Sequence, residues 1–125
     1  GSVLLCPKDR VLAPTGLIFD FPKDYSLRIH PRSGLSLKDG LTLANAQGVI
    51  DSDYIEETFV LLMNVSDNGH WINPGDRIAQ AELVKQEQVK IEERKTRPTV
   101  KTDRVGGMGS TGVSMNAETI TLTKN

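Results

Sequence analysis

Short apolar runs recur along this chain, and turns rich in glycine, proline, asparagine and aspartate separate them. Residues 25–30 alternate apolar and polar side chains with a period of two, which indicates a strand with one buried face. Residues 58–65 are almost continuously apolar, which favours a strand covered on both faces. A series of short strands with regular turns predicts an all-β barrel or sandwich. The remaining strand-like runs are residues 3–5, 10–13, 17–21, 41–45 and 78–84.

Length and charge restrict the classes of protein to which the chain can belong. Its 125 residues predict one domain with a core of modest size. With 15 basic and 16 acidic residues, the chain has no strong net field, so we expect no nucleic-acid partner. No apolar run approaches the roughly 20 residues of a membrane span, so we expect no membrane partner. The single cysteine, Cys6, fits a reducing compartment and is expected to be buried. We therefore predict a cytoplasmic protein, or a nuclear or other intracellular one in a eukaryotic or viral setting.

The C-terminal quarter differs in composition from the rest. Residues 85–97 have helix-forming side chains, yet Val89 and Ile91 alternate as in a polar edge strand, so both structures remain open. From Pro98 the chain is rich in glycine, serine and threonine, which predicts a flexible arm. The expected division is a β-barrel domain at residues 1–97 and an arm at residues 98–125. Residues 117–123 alternate like a strand without an assigned role.

Residues 31–57 carry the densest set of polar and turn-forming side chains. Leu41, Leu43 and Asn45 alternate with Thr42 and Ala44, a turn follows at residues 46–48, and a β-branched run begins at Val49. This pattern predicts a hairpin with Asn45 at one end and Asp51 just past the other. An amide, turn backbone and a carboxylate would then converge, which suits a flat polar ring with a base beside it.

Four motifs appear in a fixed order along the chain. They are Pro-Arg-Ser-Gly-Leu from Pro31, Asn-x-x-Gly-Val-Ile-Asp-Ser-Asp-Tyr from Asn45, Gly-Asp-Arg-Ile-Ala-Gln from Gly75, and Gly-Gly-Met-Gly-Ser-Thr-Gly from Gly106. In this order they resemble the trimeric dUTP diphosphatases (dUTPases), over residues 11–112. The resemblance implies a jelly-roll-like β-barrel, assembled as a homotrimer whose active sites each draw on three chains. It also implies Mg²⁺-assisted hydrolysis of dUTP to dUMP and pyrophosphate, which keeps uracil out of DNA and supplies dUMP for thymidylate synthesis.

By this resemblance, the second motif binds the nucleoside and activates water. Asn45, Gly48, Val49 and Ile50 would bind uracil, and Tyr54 would pack on the deoxyribose and exclude a 2′-hydroxyl. Asp51 would be the general base that directs water at the α-phosphorus. A carboxylate is ionised at neutral pH, and position offsets its weak basicity.

The other motifs supply phosphate contacts by the same resemblance. Arg32, Ser33 and Gly34 would form a phosphate cradle, with Gln80 as a further contact. Arg104 would reach the γ-phosphate, Met108 would cap the uracil, and Gly109 and Ser110 would donate to phosphate. Asp76 and Arg77 are expected to form a structural ion pair, His30 and His70 to be surface or packing residues, and Trp71 to lie in the core.

Two departures from the family pattern leave alternatives open. The arm has Met108 where the family has an aromatic residue and is one residue shorter, and the Ala-Gly-x-Asp-Leu segment that carries an Mg²⁺-binding aspartate precedes the position of Val3 in the family. No metal ligand is therefore assigned. One alternative is a relative that binds dUTP or a partner without catalysis. Another is a dCTP deaminase-like enzyme, although Arg32-Ser33-Gly34 and Asp51-x-Asp53-Tyr54 favour the diphosphatase.

Overall fold

The computed structural model describes residues 1–105 and 119–124, the last six by their backbone alone. These residues form two compact units, Gly1–Gln86 and Glu87–Asn125, so the predicted boundary at residue 97 stays a prediction. The elements are β1 (Val3–Leu5), β2 (Arg10–Pro14), β3 (Tyr25–His30), α1 (Ser33–Asp39), β4 (Leu41–Leu43), β5 (Gly48–Asp51), β6 (Phe59–Asn64), β7 (His70–Ile72), β8 (Gln80–Lys85), β9 (Val89–Arg94) and β10 (Thr119–Lys124).

Antiparallel pairing arranges the first unit in three small sheets. Their strand orders are β2-β6-β4, β5-β3-β8 and β1-β7. Strands β3 and β6 are central. Strand β6 buries alternate side chains because successive side chains point to opposite faces, and β3 buries Leu27 and Ile29 in the same way and Ser26 in addition. Leu62, at the middle of β6, is fully buried, which stabilises the fold by about 2 kcal/mol. The other buried apolar side chains are Leu5, Ala13, Leu27, Ile29, Leu41, Leu43 and Val60.

Asn64 is a fully buried polar residue at the end of β6. Its Nδ2 donates to the carbonyl oxygens of Leu5 at 2.8 Å and Asn68 at 2.7 Å. Its Oδ1 accepts from the N–H of Ser66 at 2.9 Å and from the Ser66 hydroxyl at 2.7 Å. Every polar atom of this side chain is thus paired, as burial requires. The network holds the turn at residues 66–69 against β1.

The sequence interpretation missed helix α1, which spans only seven residues. It ends at Gly40, whose left-handed φ of 67° suits a C-terminal cap and whose N–H donates to Ser36 O at 3.0 Å. A Cβ at Gly40 would lie 2.6 Å from the Cβ of Ser66, so only glycine fits there. A helix this short is below the length that periodicity can reveal.

The predicted hairpin at residues 41–51 is wrong in its pairing. Strand β4 pairs with β6, whereas β5 pairs with β3, so the two strands lie in different sheets. Residues 17–21 are also not a strand. Phe19 and Phe21 instead pack partly buried against the core from irregular backbone.

In the second unit, β9 and β10 pair along their full lengths. The edge-strand interpretation of residues 85–97 is therefore correct and the helix is not. The strand pattern at residues 117–123 is confirmed over Thr119–Lys124. The flexibility proposed for residues 98–125 stays a prediction.

Three predictions about single side chains are wrong. Trp71 is 62% exposed rather than in the core, and the Cys6 thiol is exposed. No ion pair joins Asp76 to Arg77 among the described residues. Asp76 Oδ2 instead accepts the N–H of Asn73 at 2.8 Å and closes the turn before β8. His30 and His70 are half-buried at the surface, as expected.

Candidate active site

The turn between β4 and β5 brings Asn45 next to Gly48. Ala46 adopts a left-handed φ of 61°, a strained conformation for a residue with a side chain, at a cost of about 1 kcal/mol. A Cβ at Gly48 would lie 3.2 Å from the Cβ of Ile29 and 3.6 Å from Asn45 Nδ2. The missing side chain of Gly48 thus lets the exposed Asn45 amide lie close to the β5 backbone, as the motif predicted.

Strand β5 divides the candidate site residues between its two faces. Ile50 packs partly buried against the core, so its side chain does not face an open pocket and only its backbone is available to a ligand. Val49 and Asp51 are exposed on the opposite face. The catalytic candidate Asp51 therefore presents its carboxylate to solvent.

Arg28 is a further cation that the sequence interpretation did not single out. It lies opposite Val49 in the β3–β5 register, and its neighbour two residues earlier, Ser26, lies opposite Asp51. The half-buried Arg28 donates from Nε to Ser26 Oγ at 2.9 Å. Arg28 and Asp51 are thus diagonal neighbours on one face, a separation that a long side chain spans. The alternation of residues 25–30 contained this signal, but the pairing of β3 with β5 was needed to interpret it.

The turn after β5 fixes Tyr54 at two points. Its N–H donates to Asp51 O at 3.1 Å, and its hydroxyl donates to Glu57 O at 2.6 Å. The side chain remains 39% exposed, so a ligand can contact the ring. Tyr54 therefore has a hydrogen-bonded hydroxyl and a ring that solvent reaches.

The first motif lies at the C-terminal end of β3. Arg32 is half-buried in extended backbone (φ −94°, ψ 125°), and the exposed Ser33 and Gly34 begin α1. Gln80 Nε2 donates to Pro31 O at 2.9 Å, so the structure brings Gln80 to the predicted phosphate cradle.

Within one chain the cradle and the candidate base lie far apart. Asp51 is opposite Ser26, and Arg32 follows six residues later along an extended backbone. At about 3.3 Å per residue, the separation along the strand is about 20 Å. If Asp51 acts at the α-phosphate of a nucleotide, the cradle of the same chain is too far away to contact that nucleotide.

The arm residues are only partly described. Arg104 belongs to the second unit, and its N–H donates to Thr102 Oγ1 at 3.2 Å. Met108, Gly109 and Ser110 lie outside the described residues.

A cavity of about 670 Å³ among the described residues does not include Asn45, Asp51 or Tyr54 in its lining. Its lining is mostly apolar. It is formed mainly by residues 11–15, which include most of β2, and by residues 72–81. Gln80 is the one candidate site residue that lines it. Asn45, Asp51 and Tyr54 are instead exposed at the surface of the described chain.

The described residues offer no built metal centre. No group of three or more His, Cys, Asp or Glu side chains is arranged to hold an ion among them. Magnesium prefers six oxygen ligands and keeps several waters. The donors of the described residues therefore do not by themselves fit a resident Mg²⁺. Within the same residues, no helix has the length and apolarity that crossing a membrane requires.

A sequence model described as dUTPase matches residues 2–112 of the chain. The chain belongs to the dUTPase family. A deoxyuridine 5′-triphosphate nucleotidohydrolase of Brucella melitensis is 48% identical over 114 residues, covering 90% of this chain and 71% of the relative. One of Finegoldia magna is 43% identical, covering 90% of this chain and 78% of the relative.

Solved dUTPase structures have a similar fold. The dUTPase of Streptococcus mutans superposes with a TM-score of 0.65 at 27% identity, covering 68% of this chain and 71% of that one. A dUTPase of Staphylococcus bacteriophage 80alpha, in complex with dUpNHpp, gives a TM-score of 0.75 at 22% identity, covering 90% of this chain and 81% of that one. The predicted all-β, jelly-roll-like fold of the dUTPase type is confirmed.

Proposed function

We propose that the chain is a dUTP diphosphatase, which hydrolyses dUTP to dUMP and pyrophosphate. Its family and the names of its relatives support this activity. The observation that carries the proposal is the arrangement of residues 45–54. There the Asn45 amide lies against the Gly48 backbone, and Asp51 and Tyr54 follow on exposed, hydrogen-bonded backbone. The alternatives of a non-catalytic relative and of a dCTP deaminase have no observation in their favour.

Uracil recognition would use the edge of β5 and its turn. Uracil presents two carbonyl acceptors and an imide N–H, and the Asn45 amide together with the backbone of Gly48, Val49 and Ile50 can complement that pattern. Cytosine presents a donor where uracil presents an acceptor, so one polar group would be left unpaired. Sites that read hydrogen-bond patterns discriminate strongly for this reason.

The chemical step would use Asp51 as general base. Its carboxylate accepts a proton from water while the water oxygen forms a bond to the α-phosphorus. The bond from the α-phosphorus to the bridging oxygen breaks, and its electron pair leaves with pyrophosphate. Arg28 lies diagonal to Asp51 on the same face and would place a positive charge beside the phosphates.

The triphosphate would be bound by residues from several chains. Arg32, Ser33, Gly34 and Gln80 are the cradle, and Arg104, Gly109 and Ser110 are the arm contacts, with Met108 over the base. The distance of about 20 Å between Asp51 and Arg32 along β3 supports a homotrimer in which one chain supplies the cradle and another the base. Exposed apolar side chains on the first unit, among them Leu12, Ile18 and Trp71, also suit burial between subunits.

Magnesium enters the proposal with the substrate. A dUTPase from phage phi11, which shares this fold, is reported with a structural Mg(II) ion. Triphosphate oxygens and water are the ligands that Mg²⁺ takes most readily, so the ion would neutralise phosphate charge. Every step described for this chain depends on its own residues. A nucleotide substrate and the free thiol of Cys6 both suit an intracellular location.

Replacing the proposed base tests the function directly. We expect Asp51→Asn to bind dUTP within about threefold of the unchanged protein and to lose at least roughly a hundredfold in kcat, as removal of a general base does. Pyrophosphate release with Mg²⁺ present and calorimetric titration with dUTP measure the two quantities. Asp53→Asn is the matched control, because Asp53 is an exposed carboxylate two residues away. Near-normal turnover of Asp51→Asn removes Asp51 from this role, and ammonia release from dCTP would replace the proposed reaction.

A further inference from the structure

Two loops of the first unit are joined by four hydrogen bonds. Glu57 Oε1 accepts the N–H of Gly16 at 2.8 Å, and Thr58 N–H donates to Leu17 O at 2.8 Å. Thr15 donates to Thr58 O twice, from N–H at 3.2 Å and from its hydroxyl at 2.6 Å. We call residues 15–17 with Glu57 and Thr58 the Glu57 clasp. Two of its bonds join backbone groups, and a third is donated by the Thr15 hydroxyl. The fourth depends on the Glu57 carboxylate.

The clasp continues directly to Tyr54. The Tyr54 hydroxyl donates to the carbonyl oxygen of Glu57 at 2.6 Å, while the Tyr54 N–H is held by Asp51 O. The position of the Tyr54 ring is therefore set by where the Glu57 carbonyl lies. That carbonyl belongs to the residue whose carboxylate is bonded to Gly16, so the two ends of Glu57 restrain one another.

We propose that Glu57 is a positioning residue that enforces selection of deoxyribose over ribose. The inference rests on the proposed function, in which the exposed face of Tyr54 packs on the sugar. Exclusion of a 2′-hydroxyl by a ring is a steric effect, and it fails if the ring can move by about 1 Å. When Glu57 is bonded to Gly16, its carbonyl keeps the Tyr54 ring in place. Without that bond the ring can move and make room for ribose.

The chemistry at Gly16 explains why a carboxylate stands at position 57. Gly16 has a left-handed φ of 71°, and its N–H donates to the Glu57 carboxylate. A carboxylate or amide oxygen at position 57 can accept this N–H, whereas an alanine side chain cannot. Glu57 is half-buried, whereas the adjacent Glu56 is exposed and makes no hydrogen bond or ion pair among the described residues.

The test compares kcat/KM for dUTP and for UTP in four variants. We expect Glu57→Ala to lower the dUTP-to-UTP selectivity about tenfold, mainly through a lower KM for UTP. Glu57→Gln keeps an amide oxygen for Gly16 and should stay within about threefold of the unchanged protein. Glu56→Ala removes the neighbouring carboxylate and should leave selectivity unchanged. Tyr54→Phe removes the hydroxyl bond and should lower selectivity in the same direction, including if Glu57→Ala does not fold.

Combining the substitutions shows whether the two residues act through one device. Selectivity losses in Glu57→Ala with Tyr54→Phe should be less than the product of the single losses, because both remove the same restraint. The positioning role is overturned if the two losses are fully independent, or if selectivity is unchanged in Glu57→Ala and Tyr54→Phe. Hydrolysis of dUTP by the unchanged protein is not affected by either outcome.

A second measurement separates this inference from the proposed function. If the unchanged protein hydrolyses no dUTP, the proposed function fails, and the ratio of dUMP to UMP affinity is measured by calorimetry in the same variants. A ratio that falls in Glu57→Ala and not in Glu56→Ala supports the positioning role. A ratio that does not change, or an unchanged protein that binds neither nucleotide, overturns it.

Discussion

Asn64 ends strand β6, and Asn45 follows the paired strand β4. The two asparagines have opposite environments. Asn64 is fully buried and makes four hydrogen bonds that join β1, β6 and a turn. Asn45 is exposed, with its amide beside Gly48 and no side-chain hydrogen bond among the described residues. Polar groups whose partners are all internal stabilise the fold. Polar groups left open on restrained backbone are available for a ligand.

The largest effect on stability should come from Asn64→Ala. The substitution removes the Asn64 amide from the carbonyl oxygens of Leu5 and Asn68 and removes the acceptor of the Ser66 N–H, although the Asn68 oxygen keeps the Ser66 hydroxyl as a donor. Each unsatisfied buried group costs about 1–3 kcal/mol, so we expect the free energy of unfolding to fall by about 3 kcal/mol. Chemical denaturation at a fixed protein concentration measures it. A loss below about 1 kcal/mol would mean that water replaces the side chain, and the contrast with Asn45 would disappear.

Gly40→Ala should have the next largest effect. The new Cβ meets the Ser66 Cβ at 2.6 Å, and the backbone φ of 67° is strained for alanine. We expect a loss of about 2 kcal/mol in the free energy of unfolding, with kcat for dUTP nearly unchanged. The matched control is Gly34→Ala, since nothing lies within 4 Å of a Cβ there, and its stability should not change measurably. Equal losses in both variants would show that neither the contact with Ser66 nor the left-handed φ of Gly40 sets the effect.

Thr58 is a third case, a buried hydroxyl whose oxygen has no partner among the described residues. Thr58→Val keeps the shape and removes the unpaired group. We expect the free energy of unfolding to rise by about 1 kcal/mol. Thermal melting and denaturant titration detect the change, and a destabilised variant would show that the hydroxyl is paired in solution.

Asn45→Ala should leave stability within about 0.5 kcal/mol, the smallest change of the set, because the side chain is exposed. Its dUTP affinity should nevertheless fall about tenfold, the value of one lost recognition hydrogen bond. Calorimetry of binding beside denaturation makes the comparison with Asn64 quantitative. An unchanged affinity would place uracil recognition elsewhere.

Most strands were predictable because their side chains alternate or run apolar over enough residues to fix the period. Strand β3 was predicted with its correct bounds, and the motif residues led to the family. Helix α1 was missed because seven residues carry too little periodicity. The partners of β4 and β5 could not be read from the sequence, since local pattern does not report which strand lies alongside. Trp71 shows the same limit, because its exposure depends on the position of β7 as an edge strand of its sheet.

Because β4 and β5 lie in different sheets, the Asn45 turn connects two sheets and does not close a hairpin. Leu43, before the turn, and Ile50, after it, belong to different sheets but pack in the same hydrophobic core. The distance between these two sheets therefore also determines the width of the loop that would bind the base. If this loop binds uracil as proposed, substitutions in the core between the two sheets would change the affinity for the base without altering a residue that contacts it.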